Sequence, residues 1–196
     1  VHRRSEIHNA LTSVKEGNVA AKRQGSDAVV AGWRNGLSPS ELSLEWVQAV
    51  QHLFLDGTGE EYFIGSIQTL PVPSWDGNLM LMDSEDMVPN AMRGLLWTTP
   101  FKQDTVRIVS FVLDSGARGK GWGSMAWNML ADNVLPLGYC NVQLEVRASN
   151  SRAISFYRKR GLVITQELHN YYRQGMGYVM RGKLQPYHPN NDTPQQ

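Results

Sequence analysis

The chain has 196 residues, 41% hydrophobic and 19% charged, which places it among globular chains of one sizeable domain with room for an extension. Nineteen basic residues against eighteen acidic ones leave a formal charge of +1, too little to hold nucleic acid by bulk charge. A lone cysteine, Cys140, excludes an intramolecular disulfide and a cysteine-built metal cage; apolar runs stay short of a membrane span and residues 1–25 lack a signal-peptide core, so the expected setting is the cytosol.

Residues 1–26 are polar and mixed in charge and read as an N-terminal extension. Residues 27–185 are expected to form one domain, and 186–196 a loose polar tail. Ala28–Trp33 is a short strand candidate. Ser38 reads as an N-cap, with Pro39 at the first helical position and Glu41 completing a capping box. The helix it opens carries Leu42, Leu44, Trp46, Val47, Val50 and Leu53 and should end near Asp56-Gly57. Tyr62–Leu70 is readable as strand or helix, and Pro71, Pro73 and Asp76-Gly77 mark a loop.

From Asn78 the pattern clears. Asn78–Asp83 is a strand, Ser84–Asp86 an acidic turn, and Ala91–Thr98 a strand ended by Pro100. Thr105–Asp114 is apolar on both faces at Ile108, Val109, Phe111, Val112 and Leu113, as a central covered strand should be. Trp122, Met125, Ala126, Met129, Leu130 and Val134 form a helical stripe over Trp122–Val134. Asn141–Arg147 alternates, with Val142, Leu144 and Val146 on one face and Gln143, Glu145 and Arg147 on the other. Asn150 caps a short helix, Ser151–Arg160, which Gly161 ends; strands near Leu162–Leu168 and Tyr178–Leu184 complete the domain.

The densest chemical signal is Arg118-Gly-Lys-Gly-Trp-Gly-Ser124. It joins the strand at Thr105–Asp114 to the helix at Trp122. Glycines leave backbone N–H groups uncovered, a helix N-terminus lies directly behind, and two cations flank it: a cradle for phosphate or pyrophosphate. Without a ligand it is a glycine-rich turn beside solvated cations, although three alternate glycines at a helix start are costly to keep. A P-loop is excluded, because Gly121 is followed by Trp122 and not by Lys-Ser/Thr. A dinucleotide turn competes: Gly121-x-Gly123-x-x-Ala126 fits, and Glu145 lies about 20 residues on. Against it, six residues separate Asp114 from Gly121, and too little chain remains for repeated βαβ units.

Arg118-x-x-Gly121-x-Gly123 after a strand resembles motif A of the GCN5-related N-acetyltransferases (GNAT). Leu144-Glu-Val-Arg-Ala-Ser-Asn-Ser-Arg-Ala-Ile-Ser-Phe-Tyr157, with Arg158-Lys-Arg-Gly-Leu162, resembles that family's motif B. The resemblance spans about residues 78–184. It is greatest to the branch of ribosomal-protein-alanine and protein N-terminal acetyltransferases, whose paired tyrosine matches Tyr171-Tyr172 and whose closing strand matches Tyr178-Val-Met180. It implies an α/β fold: a mixed, mostly antiparallel central sheet of about six to seven strands with helices on both faces.

It further implies acetyl-CoA as co-substrate, no metal, and transfer of acetyl to a primary amine. Phe111, Val112 and Leu113 would offer backbone groups to the pantetheine arm, and Asn150 would touch that arm as well as cap its helix. Gly119, Gly121, Gly123 and Ser124 would present N–H groups to the pyrophosphate, Arg118 and Lys120 would add charge, and Trp122 would cover the cofactor or only pack. Tyr157 would be the general acid for the departing thiolate, whose free pKa of about 8.5 asks for only modest help. Glu145, twelve residues before it, would be the base, directly or through water; read on its own it is a solvated carboxylate on the polar face. Tyr171 and Tyr172 would line a peptide slot. His169 is a tempting base but reads as solvated, and Cys140 reads as a buried thiol and not an acyl carrier.

The acceptor stays open between a peptide or protein α-amine and a small amine such as a polyamine or antibiotic, for which Asp83, Glu85 and Asp86 are the candidate receiving group. A non-catalytic acyl-CoA-binding module is a third reading. An α-amine near pKa about 7.8 is partly neutral at pH 7, whereas a lysine amine near 10.4 costs about 3.5 kcal/mol more to deprotonate, so a weak base suffices for a peptide N-terminus. Nucleic acid and membrane are not expected partners, and a homodimer is an assembly open to the chain.

Overall fold

The computed structural model describes residues 31–172 and 175–189; the side chains of residues 170–172 fall outside the description. Seven strands form one sheet in the order β1-β2-β3-β4-β5-β7-β6. They are β1 Gly32–Asn35, β2 Leu79–Met82, β3 Met92–Lys102, β4 Thr105–Leu113, β5 Asn141–Arg147, β6 Val163–Tyr172 and β7 Gly175–Lys183. Every neighbouring pair is antiparallel except β4 and β5, which run parallel. The parallel pair needs a crossover, which is α3, Trp122–Val134. The expected mixed, mostly antiparallel sheet with helices on both faces is what forms.

Two cores sandwich the sheet. On one face α1 (Leu44–Thr58) and α2 (Ile64–Gln68) pack Val47, Val50, Phe54 and Ile67 on Met80, Leu95, Trp97 and Val112. On the other, α3 and α4 (Ser151–Arg158) pack Trp127, Leu130, Val134 and Ile154 on Leu96, Ile108, Val142 and Leu144. These side chains are almost wholly removed from water, and each contributes about 1.5–3 kcal/mol of transfer free energy. β4 therefore carries apolar residues on both faces because both faces are covered.

Several local expectations need correction. The capping residues do act: the Glu41 carboxylate accepts from the Ser38 N–H and Oγ, both at 2.7 Å. They close only a 3-10 turn, Pro39–Glu41, and α1 starts afresh at Leu44 with Ser43 as its N-cap. α1 runs through Gly57 to Thr58 and ends at Gly59, whose φ of +73° is left-handed. The ambiguous Tyr62–Leu70 stretch is partly helical. β3 continues through Pro100 because β2 pairs it only as far as Leu96, so the missing N–H faces no partner strand. On α3 the buried face is Ala126, Trp127, Leu130, Ala131 and Val134, while Met125 is exposed; Trp127 sinks into the core because its indole N–H reaches the Gln185 carbonyl at 2.8 Å.

The segment after β7 is also tied down. Asn128 accepts from the Tyr187 N–H (2.7 Å) and donates to the Tyr187 carbonyl (3.2 Å), laying that ring against the α3–α4 core. The Ala28–Val30 part of the first strand candidate and the extension at 1–26 lie outside the described residues. Among the described residues no helix is long and apolar enough to cross a membrane, and no group of three or more His, Cys, Asp or Glu could hold a metal ion.

Candidate active site

The site begins where β4 and β5 part. Their parallel pairing covers only Thr105–Ile108 against Asn141–Leu144. Val109 then forms a bulge on β4, since Ser110 pairs Trp97 and Ile108 pairs Thr98 on β3. β5 stays paired to β7 as far as Arg147, so the two strands are held by opposite neighbours and diverge. Beyond the end of their pairing a cleft of about 390 Å³ opens beside β4, lined across from it by α4 and by the start of α3. Phe111, Val112 and Leu113 line its β4 wall.

Gly119 and Gly121 lie at the head of the cleft with φ of +76° and +85°. A Cβ at either would meet nothing within 4 Å, so these glycines serve backbone conformation, not close packing. Gly121 is the N-cap of α3, whose first N–H groups have no partner within the helix. The Ser124 N–H is an exception to the expected cradle, because it donates back to the Gly121 carbonyl at 3.0 Å. Gly123 has a different reason for being glycine: the Phe156 ring lies against it.

The two flanking cations behave unlike the expectation. Arg118 lines the cleft, but its guanidinium is engaged by carbonyls, those of Leu113 and Gly57 at 3.0 Å. It thereby clamps the cradle loop to the C-terminal end of α1. Asp56 reinforces the clamp by accepting from the Ser115 N–H at 2.6 Å. Lys120 is exposed and stands outside the cleft lining, as does half-buried Trp122, whose carbonyl accepts from the Trp33 indole at 2.8 Å. Exposed Arg152 of α4, which no sequence signal singled out, lines the cleft instead.

α4 supplies the second wall. Asn150 caps it, accepting from the Ala153 N–H at 3.0 Å. Asn150, Ala153 and Tyr157 recur at helical spacing, which turns all three toward the cleft. Tyr157 is 6% exposed, its ring packed on Phe156 and Trp127 at centroid distances of 5.2 and 6.5 Å. Phe156 also meets Phe111, and Phe111 meets Trp33, so an aromatic line backs the cleft. Gly57 and Thr58 of α1 close the third side. Gly57 reads as a helix stop in the sequence; it is glycine because a Cβ there would overlap Val112 Cγ1.

Glu145 is not in the lining. Its Oε2 accepts from Arg107 Nε and Nη2 at 2.9 and 2.8 Å, and its Oε1 from Gln143 at 3.1 Å. The backbone of Tyr171 and Tyr172 ends β6, the edge strand paired to β7, and their side chains lie outside the described residues. His169 is exposed beside Glu167, Cys140 is exposed and not buried as its sequence setting implied, Asp83 pairs with Arg93, and none of the acidic turn residues enters the cleft.

A family model described as the Acetyltransferase (GNAT) family matches residues 39–162. A search of the curated proteins found no match. Ard1 from Thermoplasma volcanium is similar in structure, with a TM-score of 0.64 and 24% identity over 79% of this chain and 98% of that one. So is the ribosomal-protein-S18-alanine N-acetyltransferase from Escherichia coli, with a TM-score of 0.62 and 19% identity over 82% and 98%. Arabidopsis thaliana Naa50, in complex with the bisubstrate analogue CoA-Ac-MVNAL, gives 0.57 and 19% over 78% and 97%. These likenesses carry the fold. The family match spans more than half of the sequence and both walls of the cleft: the chain belongs to the GNAT acetyltransferase family of N-acetyltransferases.

Proposed function

We propose that this N-acetyltransferase moves the acetyl group of acetyl-CoA to the α-amine of a peptide or protein by direct attack. One observation carries the reading: past the end of the β4–β5 pairing, a slot walled by β4 and α4 runs from the glycine cradle to Tyr157. The backbone of Phe111–Val112, paired to β3 but past the end of its pairing with β5, suits the amide-bearing pantetheine arm, and the α3 N-terminus suits the pyrophosphate. The amine nitrogen attacks the thioester carbonyl, the C–S bond breaks, the thiolate takes a proton from Tyr157, and the amine proton leaves to water. Glu145, its carboxylate held by Arg107 and Gln143 outside the lining, is a poor direct base, so the amine proton passes to water. An α-amine needs no more than that.

Support for a peptide acceptor is twofold. The acidic turn at Asp83–Asp86, where a small polycation would be received, is outside the cleft. Structural neighbours include a ribosomal-protein-alanine acetyltransferase and an enzyme holding a CoA–peptide conjugate. The test combines a thermal-shift titration with acetyl-CoA and a panel of peptides and small amines read by free-thiol release. Stabilisation by several degrees and release with peptides bearing a free N-terminus are expected. No shift with acetyl-CoA, CoA or longer acyl-CoAs would sink the whole reading; release with small amines alone would sink its peptide half.

A further inference from the structure

We propose that Arg160 is the buried cation of the cleft's anion site, a positioning residue that acts through the Ser124 hydroxyl on the coenzyme's pyrophosphate. The proposal rests on reading the cleft as a coenzyme A site.

Arg160 is 5% exposed, yet among the described residues no carboxylate pairs with it and its Nε has no hydrogen-bond partner. Its guanidinium lies between the Phe156 ring at 3.4 Å and the Tyr187 ring at 4.2 Å. One Nη donates to the Phe156 carbonyl at 2.8 Å and the other to Ser124 Oγ at 2.7 Å. A guanidinium can only donate, so Ser124 Oγ is the acceptor and its own proton is left to give away. Among the described residues that proton has no acceptor. Ser124 is the third residue of α3 and lines the cleft, where an anionic oxygen would take it.

Charge points the same way. A buried cation without a counter-ion is costly, and an anion bound at the cradle supplies one. Burial pulls the Arg160 pKa down to about 10, with the phenols of Tyr187 and Tyr157 opposing, so the group is charged at neutral pH. Arg118 and Arg152 also line the cleft, but Arg118 spends its Nε and one Nη on carbonyls and Arg152 is exposed to water, so Arg160 is the one of the three held in a buried setting. The segment at Gln185–Tyr187, fastened to Trp127 and Asn128, keeps water from the guanidinium and so keeps its field strong.

Arg160→Met, Arg160→Lys and Ser124→Ala should be titrated by thermal shift with CoA, 3′-dephospho-CoA and pantetheine, which lacks the pyrophosphate. Arg160→Met should weaken both phosphate-bearing ligands by about tenfold or more and leave pantetheine unchanged. Arg160→Lys should fall between, and Ser124→Ala should repeat most of the loss without adding to it. Equal loss on all three ligands would mark a structural role and overturn the proposal, as would unchanged CoA affinity. Should Arg160→Met fail to fold, Ser124→Ala decides by the same criterion. Wild-type protein that binds CoA beside variants that match it overturns this proposal alone; wild-type protein that binds none of the three overturns the cleft reading too.

Discussion

Phe156 occupies the space that a side chain at position 123 would need: a Cβ on Gly123 would lie 3.1 Å from Phe156 Cε2. Phe156 has no room to yield, being packed on Phe111, Trp127 and Tyr157 and stacked on Arg160. Gly123→Ala gains about 1 kcal/mol in helix propensity and loses more to overpacking. The expected net loss is about 1 kcal/mol, seen as a fall in Tm of about 2–4 °C. Gly121→Ala meets no atom and should lose about 1–2 kcal/mol through its left-handed backbone alone. A Gly123→Ala protein as stable as wild type would show that the Phe156 contact is slack.

Tyr157→Phe keeps the ring contacts and removes the proposed acid. The kcat with acetyl-CoA should fall about 100-fold, at the low end for general acids because a thiolate is a good leaving group. Affinity for CoA, measured by calorimetry, should change little. A kcat within about threefold of wild type would remove Tyr157 from the chemistry.

Glu145→Gln separates an anchored charge from a base. The change leaves Arg107, about a third exposed, without its carboxylate. Denaturant unfolding should show a loss of about 1–2 kcal/mol, discounted for that exposure. With an α-amine acceptor kcat/KM should fall less than about tenfold. A loss of 100-fold or more, with a changed acid limb in the pH–rate profile, would restore Glu145 as the base.

Glu41 gives the pH dependence a sign. The Ser38 N–H, then the Ser38 and Ser74 hydroxyls, hold its carboxyl below the usual carboxylate range. A carboxyl lowered on folding stabilises above its ordinary pKa, and that contribution fades as pH falls through the lowered value. Wild type should lose stability across that acid window more steeply than Glu41→Gln, as followed by thermal melts at stepped pH. Parallel curves would show that the capping box contributes nothing.

Legibility followed the range of the interactions. α3 and β5 were readable to their end residues, because apolar periodicity and flanking glycines are local signals. Asn150 was readable as a cap for the same reason. The capping box at Ser38 was real, yet local chemistry could not say that the helix would break at Leu42 and restart. Gly57 reads as a helix stop and Gly123 as a cradle donor, and only strand and ring packing from distant sequence explains why a side chain is excluded at each. The same limit hid Arg118, whose partners are carbonyls of β4 and α1, and Arg160, whose surroundings come from α3 and from Tyr187 beyond the last strand. Motif order located the cleft; which cation faces it depended on the fold.

The short pairing of β4 with β5 has one more consequence. A sheet ordinarily has two borders, and this one has a third, inside its own middle, where the backbone beyond Ile108 and Leu144 is no longer shared between the two strands. Borders recruit whatever extended molecule presents amides at the right pitch. The protein therefore carries a built-in berth for a strand, sheltered from other polypeptides by helices on both faces and suited to a thread of pantetheine. Catalysis of this kind starts as a flaw in a sheet that is kept from healing.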